Sequence, residues 1–358
     1  MIMRILLVNQ GKSGENLGDR AIAETFRKVL NDKECIVDIA GFSETKSQSI
    51  PEIDIKGKTI NLKYIIKKRV KKAIPSLLIW IIKYRKKIKQ EFKNLRNTQY
   101  DLVIIGGGQL IKSKSVFPYA LLTWYNIVRK NLSCPIIVAG VGTDVEFSAF
   151  EKMIYKKVLT GLDGIFARDF SSQKIIQECF KVKCKYMPDI AFAESRYITD
   201  LLDFKDRRIF LVMIFSYDSY IKNSKRLVNK EEYYKTWLGL INDNSDKELE
   251  IVLSYTTTSD KIETYEFARY LEKYGDFKFY IGKTDNLEEY SNLLMQTKQI
   301  LSGRMHAMIL GLNYNCKVIP FIVNPKLEIF KKEWINIEYD KKAINNIIDE
   351  SINEILKR

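Results

Sequence analysis

Short apolar runs alternate with amphipathic stretches along almost the whole chain. Residues 4–10 read as an apolar strand, and after the polar turn Gly11–Asp19 the residues Ala21, Ile22, Phe26, Val29 and Leu30 recur at helical spacing. Cys35–Ala40 reads as a second strand, and Asp101–Ile105 as a buried strand ending in Gly106-Gly107-Gly108. Helices follow over Phe117–Lys130, Phe147–Leu162 and Ser171–Phe180, the last capped by Ser171 or Ser172. Between and after them lie the strands Pro135–Gly140, Gly164–Ala167 and Lys185–Met187. Residues 194–207 are polar and mixed, and read as an interdomain linker. The pattern then restarts, with strands at Ile209–Phe215, Glu250–Tyr255, Lys278–Ile281, Gln299–Leu301 and Lys317–Val323. Helices are predicted at Lys230–Asn242, Lys261–Tyr274, Leu287–Gln296, His306–Leu312 and Lys341–Lys357. Strands and helices alternating in this way predict two successive α/β domains with parallel sheets, over 1–195 and 208–340, closed by a helix in 341–358. Their Gly-rich or charged turns at strand ends predict a cleft between facing carboxyl edges.

Composition narrows the class. A chain of 358 residues fits about two domains, and an apolar fraction of 46% is that of a folded globular protein. The N-terminus reads as a first strand, not a signal peptide, and no apolar run approaches a bilayer span, so a cytoplasmic protein is expected. Five cysteines without a CxxC pair, and one histidine, support neither a metal site nor a disulfide framework. The net charge of +15 suggests nucleic acid until it is located. Fifteen Lys/Arg and a single acid, Glu91, fall between Lys56 and Asn97, leaving the rest of the chain at +1. A nucleic-acid partner is therefore not expected, because the charge belongs to one segment and is not spread along a groove.

Candidate chemistry sits at strand ends. Ser302-Gly303-Arg304-Met305-His306 joins a strand to an apolar helix, where free N–H groups and the helix dipole receive an anion. Arg304 adds a forked cation, and His306 is the sole histidine. Neither Gly11-Lys12-Ser13 nor the glycines at 11, 14 and 18 complete a nucleotide-binding fingerprint. Asn16 and Asp19 open a helix, Gly107 and Gly108 permit close approach to backbone, and Arg168-Asp169 and Pro188-Asp189 follow strands. Each also has a purely structural reading: an N-cap by Asp19 or Asn16, a tight turn, a surface ion pair, a turn former.

Together and in this order, Asn16-Leu17-Gly18-Asp19-Arg20-Ala21-Ile22, Gly106-Gly107-Gly108-Gln109-Leu110, Ala167-Arg168-Asp169-Phe170-Ser171, Pro188-Asp189-Ile190-Ala191-Phe192 and Ser302-Gly303-Arg304-Met305-His306-Ala307 resemble the successive motifs of the polysaccharide pyruvyltransferase family. The resemblance spans about residues 4–325 and skips the basic segment. It implies two Rossmann-like domains in a GT-B-like arrangement, and a transferase that moves pyruvate from phosphoenolpyruvate onto a sugar of a surface polysaccharide or cell-wall glycan as a ketal. Phosphoenolpyruvate is then a co-substrate and no cofactor is expected. The resemblance places Arg304, His306 and Arg168 at the donor site. Some members carry an acid soon after the glycine triplet, but here the sequence reads Gln109-Leu110-Ile111-Lys112, which leaves Asp19 as the base. The candidate site is thus His306 and Asp19 as catalytic groups, with Arg304, Arg168, Asn16, Gly107, Gly108, Met305 and Asp189 binding substrate. Each arginine is expected to take one donor anion in its fork, so that loss of Arg304 or His306 abolishes transfer without unfolding the chain. The alternative enzyme is a GT-B-type glycosyltransferase using a nucleotide sugar.

The basic segment, about 56–97, reads as a helical insertion in the first domain. Leu62, Ile65, Ile66, Val70, Ala73 and Ile74 share one helical face up to Pro75. Ile81, Tyr84, Ile88, Phe92 and Leu95 continue at three-to-four spacing. An apolar stripe with Trp80 beside a dense basic face suits an anionic membrane surface, giving a peripheral protein at the inner face of the plasma membrane that meets a lipid-linked saccharide. The other reading is a helical insertion that covers the cleft or its own domain, with its lysines merely solvated.

Overall fold

A computed structural model describes residues 2–12, 16–43, 75–224, 228–336 and 340–358. The expected apolar face over Leu62–Ile74 lies outside the described residues.

The runs read as buried strands form two all-parallel sheets, as the alternating pattern predicts. In the first, β1 (Arg4–Asn9) lies between β2 (Ile36–Gly41) and β3 (Leu102–Ile111). The sheet continues through β4 (Ile136–Thr143), β5 (Gly164–Ala167) and β6 (Lys185–Tyr186), in the order β2-β1-β3-β4-β5-β6. Ile5 to Val8 are wholly buried because both faces of this central strand are covered. The second sheet has the order β11-β10-β7-β8-β9, with β7 (Ile209–Met213), β8 (Glu250–Leu253), β9 (Phe279–Ile281), β10 (Thr297–Ser302) and β11 (Lys317–Pro320). Strand order reverses between β1 and β3 in one sheet and between β7 and β10 in the other. Each reversal opens a crevice at the carboxyl ends of the strands, and these two crevices face each other.

Helices pack on both sheets: α1 (Leu17–Asn31), α2 (Ser76–Ile79), α3 (Arg85–Leu95), α4 (Phe117–Asn131), α5 (Ala149–Thr160) and α6 (Phe170–Phe180) belong to the first half. The second half holds α7 (Tyr217–Ser224), α8 (Lys230–Asn244), α9 (Thr258–Tyr274), α10 (Leu287–Gln296), α11 (Met305–Asn313) and α12 (Pro325–Phe330). The closing helix, α13 (Lys341–Leu356), returns to the first domain, where Arg196 bonds Asn345 and Asp349, and Lys185 pairs with Glu354.

Local details depart from the pattern for physical reasons. The glycine triplet does not end β3; the strand runs on to Ile111, with Gly107 and Gly108 at φ of 79° and 78° inside it. Helix α5 starts after Ser148, whose capping box with Glu151 fixes the first turn two residues later than apolar spacing alone suggests. Asp169, not a serine, caps α6 by accepting from the Ser172 N–H. The polar residues after 194 are not a free linker at their start. Ile190–Arg196 forms a 3-10 turn packed between the domains, where Glu194 pairs with Lys28 and the Asn313 amide donates to the Ala191 carbonyl at 2.7 Å.

In the basic segment, α2 runs through a wide turn at Trp80–Tyr84 into α3. Trp80, Tyr84, Ile88 and Phe92 are buried, with Phe92 edge-on to Trp124 of α4, so every fourth residue is a protein contact. Ile81, which spacing assigned to that stripe, is exposed, and Trp80 takes the inward place.

Because α13 buries Ile348, Ile352 and Ile355 completely, it is a structural part of the junction. Ile352→Ala should destabilise the protein by about 3 kcal/mol through lost burial and an unfilled cavity, read as a lower urea midpoint with an unchanged denaturant slope. A midpoint within experimental error of wild type would show that the helix is dispensable.

Candidate active site

At the second crevice, β10 ends at Ser302, whose hydroxyl accepts from the Arg304 N–H at 3.0 Å and turns the chain into α11. Arg304 then points to Asp260. Its Nε and Nη2 donate to the two carboxylate oxygens at 2.8 and 2.7 Å, and its guanidinium lies 4.2 Å from the Phe215 ring centre. Asp260 is buried and also accepts the Ser216 N–H. The fork expected to hold a donor anion is therefore occupied by a carboxylate of the protein itself.

His306, in the first turn of α11, reaches across to the first domain. Its Nε2 stands 3.4 Å from the Asp189 carboxylate and 3.5 Å from Arg168 Nη1. The ring passes so close to Gly18 that a Cβ there would fall 2.7 Å from the His306 Cβ, so only glycine allows this approach. Nearby, the Leu17 N–H donates to the Thr256 carbonyl at 3.0 Å, a second bond between the domains.

Arg168 follows β5 and Asp189 follows β6. Both are buried, and Arg168 Nη1 donates to Asp189 at 3.1 Å. Burial alone would raise the Asp189 carboxyl; the hydrogen bond to His306, the charges of His306 and Arg168 and the Ala191 N–H hold it down at about 2. Asp189 also caps the 3-10 turn that starts at Ile190. The turn-former reading of Asp189 therefore holds, whereas the ion pair of Arg168 is buried at the junction and made with Asp189, not a surface pair with Asp169. Of the Arg168 donors, only Nη1 is hydrogen-bonded among the described residues; Nε is buried without a partner and lies 3.6 Å from an Asp169 oxygen.

Arg168, Asp189 and Met305 line one cleft of about 620 Å³ between the domains, together with Lys326, Glu333 and an apolar wall that includes Phe192 and Trp334. Lys326 sits 3.4 Å from Asp144, a third link across the interface. Burial, then the positive charge of Arg168, lower its ammonium to about 8, against the opposing pull of Asp144. Burial and the neighbouring Asp169 raise the Glu333 carboxyl. Asp19, Asn16 and Gly108 lie on the α1 side of His306, outside the lining of this cleft. There the Asn16 amide donates to Asp19 at 3.1 Å, and Gly108 lies close to the same carboxylate. Gly107 instead packs on Ile22. Asn16 is the cap of α1, accepting from the Gly18 N–H. Among the described residues no group of His, Cys, Asp and Glu is arranged to hold a metal ion.

The model of the polysaccharide pyruvyl transferase family matches residues 16–325. The chain belongs to this family. No curated protein matches the sequence. Among solved structures, the S. aureus MnaA co-structure with UDP is 13% identical and has a TM-score of 0.50, covering 98% of this chain and 88% of its own. The UDP-GlcNAc 2-epimerase from Methanocaldococcus jannaschii is 11% identical, with a TM-score of 0.47 over 98% and 92% of the two chains. The E. coli heptosyltransferase WaaC is 15% identical, with a TM-score of 0.40 over 98% and 100%. The likeness to MnaA concerns the fold alone and agrees with the two parallel sheets: two Rossmann-like domains in a GT-B-like arrangement.

Sequence reasoning missed Lys326 and Glu333 at the cleft, and the partners Asp144 of Lys326 and Asp260 of Arg304. Lys326 carried a usable signal, because Asn324-Pro325 is a cap followed by proline at the first helical position. The predicted strand, drawn on to Val323, hid it. Asp260 lies 44 residues before Arg304, and nothing local announces the pair.

Removing Arg304 leaves the Asp260 carboxylate buried without its bidentate partner. Arg304→Ala should therefore lower stability by about 3 kcal/mol, against the expectation of an intact fold. Thermal unfolding of the variant measures this, and an unchanged midpoint would return Arg304 to a purely ligand-binding role.

Proposed function

We propose that this transferase takes its pyruvyl group from phosphoenolpyruvate and sets it as a ketal on a glycan of the cell surface or cell wall. The observation that carries the reading is the state of Arg168: buried at the cleft, hydrogen-bonded through one nitrogen only, and facing the same space as Lys326. A ligand with a carboxylate and a phosphate on adjacent atoms needs two cations, and these two arise from opposite domains. Arg304, held by Asp260, keeps the turn of His306 in place.

The chemistry then divides around His306. Its imidazolium delivers a proton to the methylene carbon of phosphoenolpyruvate, and C2 becomes electron-poor. A sugar hydroxyl from the Asp19 side attacks C2 and gives its proton to Asp19. The bond from C2 to the phosphate oxygen breaks, phosphate leaves beside Arg168 and Lys326, and a second hydroxyl closes the ketal. In balance, one hydroxyl proton ends on the new methyl group and the other departs with phosphate. Asp189 orients the imidazole and, by accepting from Arg168 Nη1, fixes the direction of that guanidinium.

Incubation with labelled phosphoenolpyruvate and glycosides carrying neighbouring hydroxyl pairs tests the proposal. Wild type should release phosphate and transfer label, whereas Arg168→Ala and His306→Ala should do neither. A wild-type protein inert towards phosphoenolpyruvate that consumes a nucleotide sugar would overturn it.

Lys326 supplies a pH signature. Its ammonium, lowered to about 8, is charged below that pH and neutral above it, so affinity for phosphoenolpyruvate should fall as pH rises through about 8. Calorimetric titration should show the fall in wild type and its absence in Lys326→Arg. Identical profiles for the two proteins would remove Lys326 from the donor site.

A further inference from the structure

We propose that the start of the basic helix is an interfacial anchor that dips into an anionic phospholipid surface through Leu77, Leu78, Ile81 and Ile82. This goes beyond the transfer chemistry and does not depend on the identity of the donor. Large aliphatic side chains are exposed at four of six consecutive positions here: Leu77 at 39%, Leu78 at 47%, Ile81 at 46% and Ile82 at 77%. Leu77 with Ile81 and Leu78 with Ile82 are four apart, so they form two adjoining ridges on one side of the helix. They are not the residues that hold the helix to the protein. Trp80, Tyr84, Ile88 and Phe92 do that on another face.

Charge complementarity selects the occupant. From Pro75 to Asn97 the helix carries seven Lys/Arg against Glu91 alone, and Glu91 is turned inward to accept the Gly41 N–H at 2.8 Å. Lys83, Arg85, Lys86, Lys89 and Lys93 are exposed directly after the aliphatic ridges. An apolar tip followed by a dense cationic flank matches acyl chains beneath anionic headgroups. Among the described residues no helix is long and apolar enough to cross a membrane, so contact at this face would be peripheral.

The position of the tip gives the contact a use. Gly41 ends β2 at the carboxyl edge of the first sheet, the edge that opens on the cleft. Ile82 precedes Glu91 by nine residues, which at helical rise places it about 13 Å further along the axis. The chain leaves α3 for β3, which begins at the opposite edge, so that displacement runs past the strand ends on the cleft side. A bilayer touched by the tip would lie alongside the mouth of the cleft, within reach of a saccharide carried on a lipid.

Sedimentation of the full chain with vesicles of phosphatidylglycerol and phosphatidylcholine, or of phosphatidylcholine alone, tests the anchor. Wild type should bind the anionic vesicles and not the neutral ones. Leu78→Asn combined with Ile82→Asn, both at exposed positions, should weaken binding about tenfold with an unchanged melting temperature. An Ile82→Trp variant should show a blue-shifted emission component on adding anionic vesicles. Three outcomes would overturn the proposal: no binding by wild type, undiminished binding by the double variant, or a lipid-independent dimer of wild type that the double variant abolishes. Phosphoenolpyruvate turnover in soluble assay is unaffected by any of these, so failure here is distinct from failure of the pyruvyl reading.

Discussion

A buried carboxylate governs the junction of the two domains. Asp189 is almost wholly removed from water, and an isolated charge in that position would cost several kcal/mol. It is compensated by Arg168 from its own domain and by His306 from the other. The same atoms that neutralise Asp189 therefore align the two crevices. Removing the second domain would leave the first with an under-compensated anion, and removing Asp189 would leave Arg168 buried without its hydrogen-bonded partner. Lys326 with Asp144, and Asn313 with Ala191, add further ties at the same seam.

That economy explains why structural and functional readings of single residues do not exclude each other. Asn16 caps α1 and also holds the Asp19 carboxylate. Asp189 caps a 3-10 turn, pairs with Arg168 and orients His306. Gly18 is an ordinary first-turn residue whose missing side chain admits the imidazole. Arg304 shows the converse: a residue with the appearance of an anion ligand whose fork is taken by Asp260.

Much of the architecture was legible because buried parallel strands have to be continuous apolar runs. Ile5 to Val8, Leu102 to Ile105 and Leu211 to Val212 leave little choice of element, and their alternation with amphipathic stretches points to α/β domains. Short motifs at strand ends were visible too: Arg168, Asp189 and His306 all sit in them, and the structure brings the three within 3.5 Å of one another. Partners drawn from distant segments were not. Asp260, Asp144 and Glu333 enter the site through sheet topology, and a sequence read by local spacing has no term for that. The basic helix was misread by one residue at Ile81, because a wide turn at Trp80–Tyr84 breaks the regular period on which the reading depended.

In the proposed reaction the donor is held across the seam by Arg168 and Lys326, beside His306. A crystal structure with phosphoenolpyruvate bound tests it most directly. Donor oxygens are expected about 3 Å from an Arg168 nitrogen and from Lys326 Nζ, with Arg304 still paired to Asp260. A donor seated on Arg304, with Asp260 displaced and Lys326 remote, would contradict it.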